Sequence, residues 1–282
     1  MERIEYKNFD LERVLYNKSS LSLYKCKFEG PNDGESPLKE CEDIVIDSCL
    51  FSLRYGLWHT SGIDIKDTVF DDKTRATFWY SSNIKISHSK LLGVKAIREC
   101  SDIYLNCVEI NSSEFSWRSS NIEIIDSSLT SEYAFFECSN IKISGLVFNG
   151  KYSFQYVNDM VIKDSTLNTK DAFWHSNHVT IQDSNIKSEY LGWYSNNLTL
   201  INCKISGTQP FCYCKNLKLI NCTMTDCDLA FEYSSVEASI IGSVKSIKNP
   251  LSGKIEADDA GEVIIKDNKY PSKAKIILRN KK

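Results

Sequence analysis

The sequence predicts an all-β fold, a single-stranded right-handed parallel β-helix (solenoid) of about twelve coils of nineteen residues with capped ends. Two observations carry this. A motif of Asn or Asp, apolar, any residue, apolar recurs with first apolar positions Ile84, Ile103, Ile122, Ile141, Met160, Val179, Leu198, Leu217 and Val236, and every step is nineteen residues. Stacking these repeats gives columns of constant chemistry, the mark of an architecture in which each unit buries its face only against the next.

Residues 1–20 precede the repeat and are expected to form an N-terminal cap. The coils occupy 21–236, within one β-helix domain spanning 1–282. Upstream of Ile84 the phase is met by Ile63, Ile44 and Leu21 at steps of twenty-one, nineteen and twenty-three, so two insertions enlarge early coils. The larger includes GPNDGESP, residues 30–37, a candidate lid. Two positions beyond the first apolar column lies a second, including Ile46, Ile65, Ile86 and Leu105, and this alternation marks a strand with one buried face.

A polar column follows, with Asp67, Asp126, Asp164, Asp183, Asn202 and Asn221, types that satisfy their own backbone and accept unusual dihedrals at a corner. The next column is small, including Cys49, Thr68, Ser89, Ser127 and Cys203; beyond it a short second strand carries Phe51, Phe70, Leu129 and Phe148. A third strand is expected before each next Asn or Asp. Residues 237–282 leave the period, contain Pro250, Gly253, Gly261 and Pro271, and are expected to cap the C-terminal end.

Parallel strands need a long crossover between them, and here the rest of the coil supplies it. Such crossovers are overwhelmingly right-handed. With about 4.8 Å between stacked strands, twelve coils predict a rod roughly 55 Å long.

The third strand departs from bland packing, reading LWHT, FWYS, IREC, SWRS, FFEC, FWHS and GWYS in successive coils. One column holds Glu40, His59, Tyr80, Glu99, Arg118, Glu137, Tyr156, His175 and Tyr194, and its charges place it toward solvent. The neighbouring column holds Trp58, Trp79, Arg98, Trp117, Trp174 and Trp193; strict alternation would turn it inward, into a coil with little room for indoles. Stacked rings and alternating charges can be ladders that only hold the solenoid together. They can equally form a surface for a polyhydroxylated ligand, with Arg and carboxylates bonding hydroxyls.

Candidate ligand-binding residues are Glu35, Lys39, Glu40, Arg54, Arg75, Lys95, Arg98, Arg118, Tyr156, His175 and Tyr194. The catalytic candidates are Glu99, Glu137 and His59. Glu99 and Glu137, two coils apart, would stand about 9.6 Å from each other along the axis, near the upper limit for an inverting glycosidase pair. Arg118 between them argues against that role, since it would hold both ionised.

A net charge of −3 gives no basic excess for nucleic acid. The charged N-terminus MERIEYKNFD and the absence of any long apolar run predict neither a secretory signal nor a membrane span, hence a cytoplasmic protein. Eleven cysteines at irregular spacing read as core residues rather than a disulfide framework. His59 and His175 lie six coils apart, so no metal site is expected, and no cofactor-binding motif is present.

The phrases GPNDGESPLKE, SLRYGLWH, RATFWY, GKYSFQY, TKDAFWHS, SEYLGWYS, GTQPFCYCKNLKLINC and SIKNPLSGKIEADDAGEVII resemble a bacterial-type family, domain of unknown function 3737, from about Phe9 to Lys266. The resemblance implies a β-helix and carries no catalytic residues. The functional expectation is a protein that binds, with or without processing it, an oligosaccharide or other polar ligand along the third-strand face. The alternative is a non-enzymatic scaffold or self-assembly module, compatible with a homo-oligomer.

Overall fold

In a computed structural model that describes residues 1–280, the chain is an all-β parallel solenoid of about fifteen turns with no helix. Lys281 and Lys282, the end of the expected C-terminal cap, lie outside the described residues. The chain divides into two compact units, Met1–Lys142 and the remainder from Ile143.

The turn count exceeds the expected twelve because the segments expected as caps are themselves coiled. At the N-terminal end, Glu2–Glu5 pairs in parallel with Ser19–Tyr24, Ile4 opposite Leu23, but Glu2 stands where the motif wants an apolar residue. At the other end Val236 pairs with Gly253, seventeen residues on, and Ile255 with Ile276, twenty-one on. A period search that demands nineteen and an apolar start misses both ends. The backbone hydrogen bonds do not require either.

Between these ends the register equals the repeat. In the first unit Ile44 and Ile46 lie opposite Ile63 and Ile65, and in the second Val179 and Ile181 lie opposite Leu198 and Leu200. The inward residues of these long strands are almost wholly buried. Residues that open and close each long strand adopt left-handed backbone: Asn83, Asp102 and Asn121 at φ 52–57°, and Asp67, Asp126, Asp164 and Asp183 at φ 45–50°. Asn and Asp tolerate this conformation because their side chains bond locally. They also bond between turns, with Asn140 Nδ2 donating to Asn121 Oδ1 at 2.8 Å and Asn202 Nδ2 to Asp183 Oδ1 at 2.9 Å.

The small inward column at the corners has a chemical requirement. At the first corner the N–H groups of Cys49, Thr68 and Val108 donate to the hydroxyls of Thr68, Ser89 and Ser127 in the following turn, at 3.0–3.2 Å. At the last corner Thr60, Ser81, Cys100 and Ser119 donate to Ser81, Cys100, Ser119 and Cys138 in the same way, at 3.1–3.4 Å. Most positions carry a small side chain bearing an acceptor, which serine, threonine and cysteine all supply, while Val108 and Leu146 in the first-corner column only receive the next turn's hydroxyl at their N–H. This accounts for most of the cysteines: ten of the eleven are buried, all are free thiols, and Cys107 alone is exposed. Burial pushes the Cys100 and Cys138 thiols up to about 12, which suits an inert structural role.

The core of the first unit is completed by stacked rings. Phe9, Phe28, Phe51 and Phe70 follow one another at centroid distances of 5.0, 4.3 and 4.7 Å. In the second unit Phe154 stacks on Phe173 at 4.7 Å.

The expected third strand forms short separate strands at Leu57–Trp58, Phe78–Trp79 and Ile97–Arg98, which pair in parallel. In the middle turns that side is instead a turn with alternate residues left-handed, such as Tyr133, Phe135 and Glu137 at φ 58°, 60° and 56°. Strict alternation of side chains therefore fails. Phe135 and Cys138 are buried, while Phe136 and Glu137 between them both face outward.

Candidate functional site

This broken alternation answers which way the tryptophan column points. Trp58, Trp79, Trp117, Trp174 and Trp193 are all partly exposed and lie beside the outward column, so two adjacent columns share the third side. Their polar edges are mostly tied down. The indole N–H groups of Trp117, Trp174 and Trp193 donate to the carbonyls of Tyr133, Tyr190 and Gln209 in the following turn, at 2.6–2.8 Å.

In the second unit, Tyr156, His175, Tyr194 and Tyr213 form a ladder with centroids 4.7–5.0 Å apart and planes within 5–7° of parallel. Tyr156 and Tyr194 are 44% and 46% exposed, which makes the ladder a surface feature. Because the rings lie face to face, their faces are covered by one another. What meets solvent is edges, phenolic hydroxyls and imidazole nitrogens.

In the first unit the predicted residues are held in several separate groups. Arg54 bridges Asp33 and Glu35 at 2.8 and 2.7 Å, tying the insertion to the next turn. Tyr16 Oη donates to Glu40 at 2.6 Å and holds that carboxylate below its ordinary pKa. Lys39 lies 4.4 Å over the Trp58 ring. His59 is stacked between Trp58 and Tyr80 at 5.5 and 5.1 Å.

Further along, Lys95 and Arg98 share Glu114, at 3.2 and 3.6 Å, and Arg98 also lies 5.0 Å from the Trp117 ring. Glu99 lies 3.6 Å from Arg98 and pushes the Tyr80 phenol up. Arg118 donates to Glu137 at 2.7 Å. Arg75 is exposed and makes no ion pair among the described residues. Glu114 and Tyr16 were not singled out by sequence reasoning, because nothing in a one-dimensional pattern marks an ordinary glutamate or tyrosine as a partner.

The insertion is not a lid over this face. Glu35 and Pro37 carbonyls accept from Arg13 and Leu15, and Ser36 and Leu38 donate to Arg54 and Gly56, so residues 35–38 are built into a turn. Only the tip stands out, fastened by the Asn32 N–H to Asp10 at 2.8 Å. A cleft of about 590 Å³ opens beside it, lined by Asn8, Glu29, Pro31, Asp33, Arg54 and Lys73.

The Arg118–Glu137 pair is a surface pair, its side chains 53% and 42% exposed. Arg118→Gln is accordingly expected to change stability by less than about 1 kcal/mol in chemical denaturation. A larger loss would make the pair structural.

The fold and face define a parallel β-solenoid with an outward aromatic and charged side. The chain belongs to the family described as "Protein of unknown function (DUF3737)", whose model matches residues 2–278. No curated protein matches it. Among solved structures it is similar to the A-module of the mannuronan C-5 epimerase AlgE4 of Azotobacter vinelandii, at 10% identity and TM-score 0.35, covering 83% of this chain and 87% of that one. It is also similar to the tailspike protein of E. coli bacteriophage HK620, solved with a hexasaccharide, at 12% identity and TM-score 0.24, covering 98% and 67%. A third is QnrB1, a plasmid-mediated fluoroquinolone resistance protein, at 11% identity and TM-score 0.20, covering 80% and 81%. Overlaps this loose transfer no activity.

Proposed function

We propose that the third side binds a linear polyhydroxylated ligand of the oligosaccharide class, reading it by ring edges and hydroxyls rather than by ring faces. The observation that carries this is the exposed, in-register ladder of Tyr156, His175, Tyr194 and Tyr213. Each turn presents one hydrogen-bonding group at its edge, and phenols and imidazoles both donate and accept. Such a row fits a ligand whose own donors and acceptors repeat along its length. It gives no apolar platform inside the ladder, since every inner ring face is already covered.

Charged flanks support the same reading, for Lys170 and Glu189 pair at 2.9 Å at the end of a strand leading into this side. Binding without chemistry is favoured by the first unit, where Glu137 is held by Arg118 and Glu40 by Tyr16. Neither is a spare proton donor of the kind a general acid requires.

An immobilised oligosaccharide array probed with the whole protein tests this. Wild type should bind a defined subset, and Tyr194→Ala together with His175→Ala should weaken that signal about tenfold or more. An array silent for wild type, with a dimer in light scattering, would instead assign the face to a second copy of the chain.

A further inference from the structure

Two side chains become short at one point of the second unit's third side. In the tryptophan column Gln155 stands where the next two turns carry Trp174 and Trp193, and in the column that opens the turn Asp171 stands between Tyr152 and Tyr190. Gln155 reaches the backbone of Asp171: its Nε2 donates to the Asp171 main-chain carbonyl at 3.0 Å, as Trp174 Nε1 donates to that of Tyr190 at 2.8 Å. Backbone bonds hold the column in register, with the Tyr152 N–H on Lys170 O at 2.8 Å and the Asp171 N–H on Glu189 O at 3.0 Å. By residue type, a short carboxylate stands between two longer phenols in one column, beside a carboxamide where the neighbours carry indoles, the pattern of a notch in a wall of rings.

Asp171 is only 7% exposed, yet its carboxylate receives no hydrogen bond among the described residues. Lys170, the cation whose field reaches it, is engaged with Glu189 at 2.9 Å. Burial pushes the Asp171 carboxyl above its ordinary pKa. A buried carboxylate without donors is costly, and stability of this kind is given up where an occupant needs the group.

We infer that this notch is the anchoring subsite of the binding face, with the Asp171 carboxylate accepting hydrogen bonds from neighbouring hydroxyls of one sugar unit and the Gln155 carboxamide beside it. This rests on the reading of the face given above. The carboxylate supplies two acceptor oxygens, matching a pair of vicinal hydroxyls, and the flanking phenols restrict entry to a group narrow enough to pass between them.

Asp171→Asn tests it, since asparagine keeps the size and tolerates the left-handed backbone, φ 52°, at this position. On the oligosaccharide array the variant should lose about tenfold or more of the wild-type affinity, the scale of one charged hydrogen bond. It should also melt at a higher temperature than wild type at neutral pH, because an unpaired buried charge has been removed. A group whose folded pKa is raised contributes stability below its unfolded pKa and loses it as pH rises through the folded value. Wild type should therefore lose stability across that interval relative to the variant, while Lys170, Glu189, Tyr152 and Tyr190, the ionisable groups around it, are common to both.

Unchanged affinity in Asp171→Asn, with wild type binding, overturns the subsite and leaves the face intact. A lowered melting temperature makes Asp171 a structural residue and overturns it as well. A wild-type protein that binds no oligosaccharide removes both readings together.

Discussion

Phe51→Ala is expected to lower the unfolding free energy by about 3–5 kcal/mol, the range for deleting a fully buried phenylalanine. Phe51 is 0% exposed and sandwiched between Phe28 and Phe70 at 4.3 and 4.7 Å, so its removal leaves a hole bounded by two rings. Each turn is fixed by hydrogen bonds to both neighbours, which limits how far the walls can collapse into that hole. Urea denaturation of wild type and variant measures the difference. A loss under about 1 kcal/mol would mean that the stack can close over the gap, as an outer ladder can. Tyr194→Ala supplies the contrast, since an exposed stacked ring contributes roughly 0.2–1 kcal/mol.

Ser119→Val is expected to cost roughly 1–3 kcal/mol, while Ser119→Cys should be close to neutral. Ser119 is 2% exposed; its hydroxyl accepts from the Cys100 N–H at 3.1 Å and donates to the Trp117 carbonyl at 3.2 Å. Valine removes the acceptor and leaves the Cys100 N–H buried without a partner. Cysteine retains one, as Cys100 and Cys138 already do for Ser81 and Ser119 in the same ladder. Thermal melts of the two variants should separate clearly. Equal losses would show that volume, not the acceptor, governs the corner.

Much of this was legible in the chain. Ile84, Ile103 and Ile122 announce the strand and its period, and the pairing of Ile84 with Ile103 and of Ile103 with Ile122 follows that period residue for residue. The corner role of Asp67 and Asp126 was equally readable, because a left-handed residue leaves a compositional trace. Glu2 at the N-terminal end and the seventeen-residue step from Val236 to Gly253 were not legible, since pairing through the backbone leaves no side-chain signature. The charged candidates Arg54, Arg98 and Arg118 could be read as residues, but not their partners Asp33, Glu114 and Glu137 as pairs.

The parallel solenoid, its nineteen-residue period and the family could be read from the order of residues alone, because each turn contacts mainly the next and a periodic chain writes a periodic structure. How the third side faces solvent was set by the folded backbone. Left-handed residues such as Phe135 and Glu137 reset the direction of successive side chains, so alternation no longer predicts which column is buried. The fold also decided that the outer rings cover one another's faces, and that the Gln155 side chain bonds the backbone of Asp171, sixteen residues on in the chain. These depend on which atoms adjacent turns bring into contact, and no single turn contains that information.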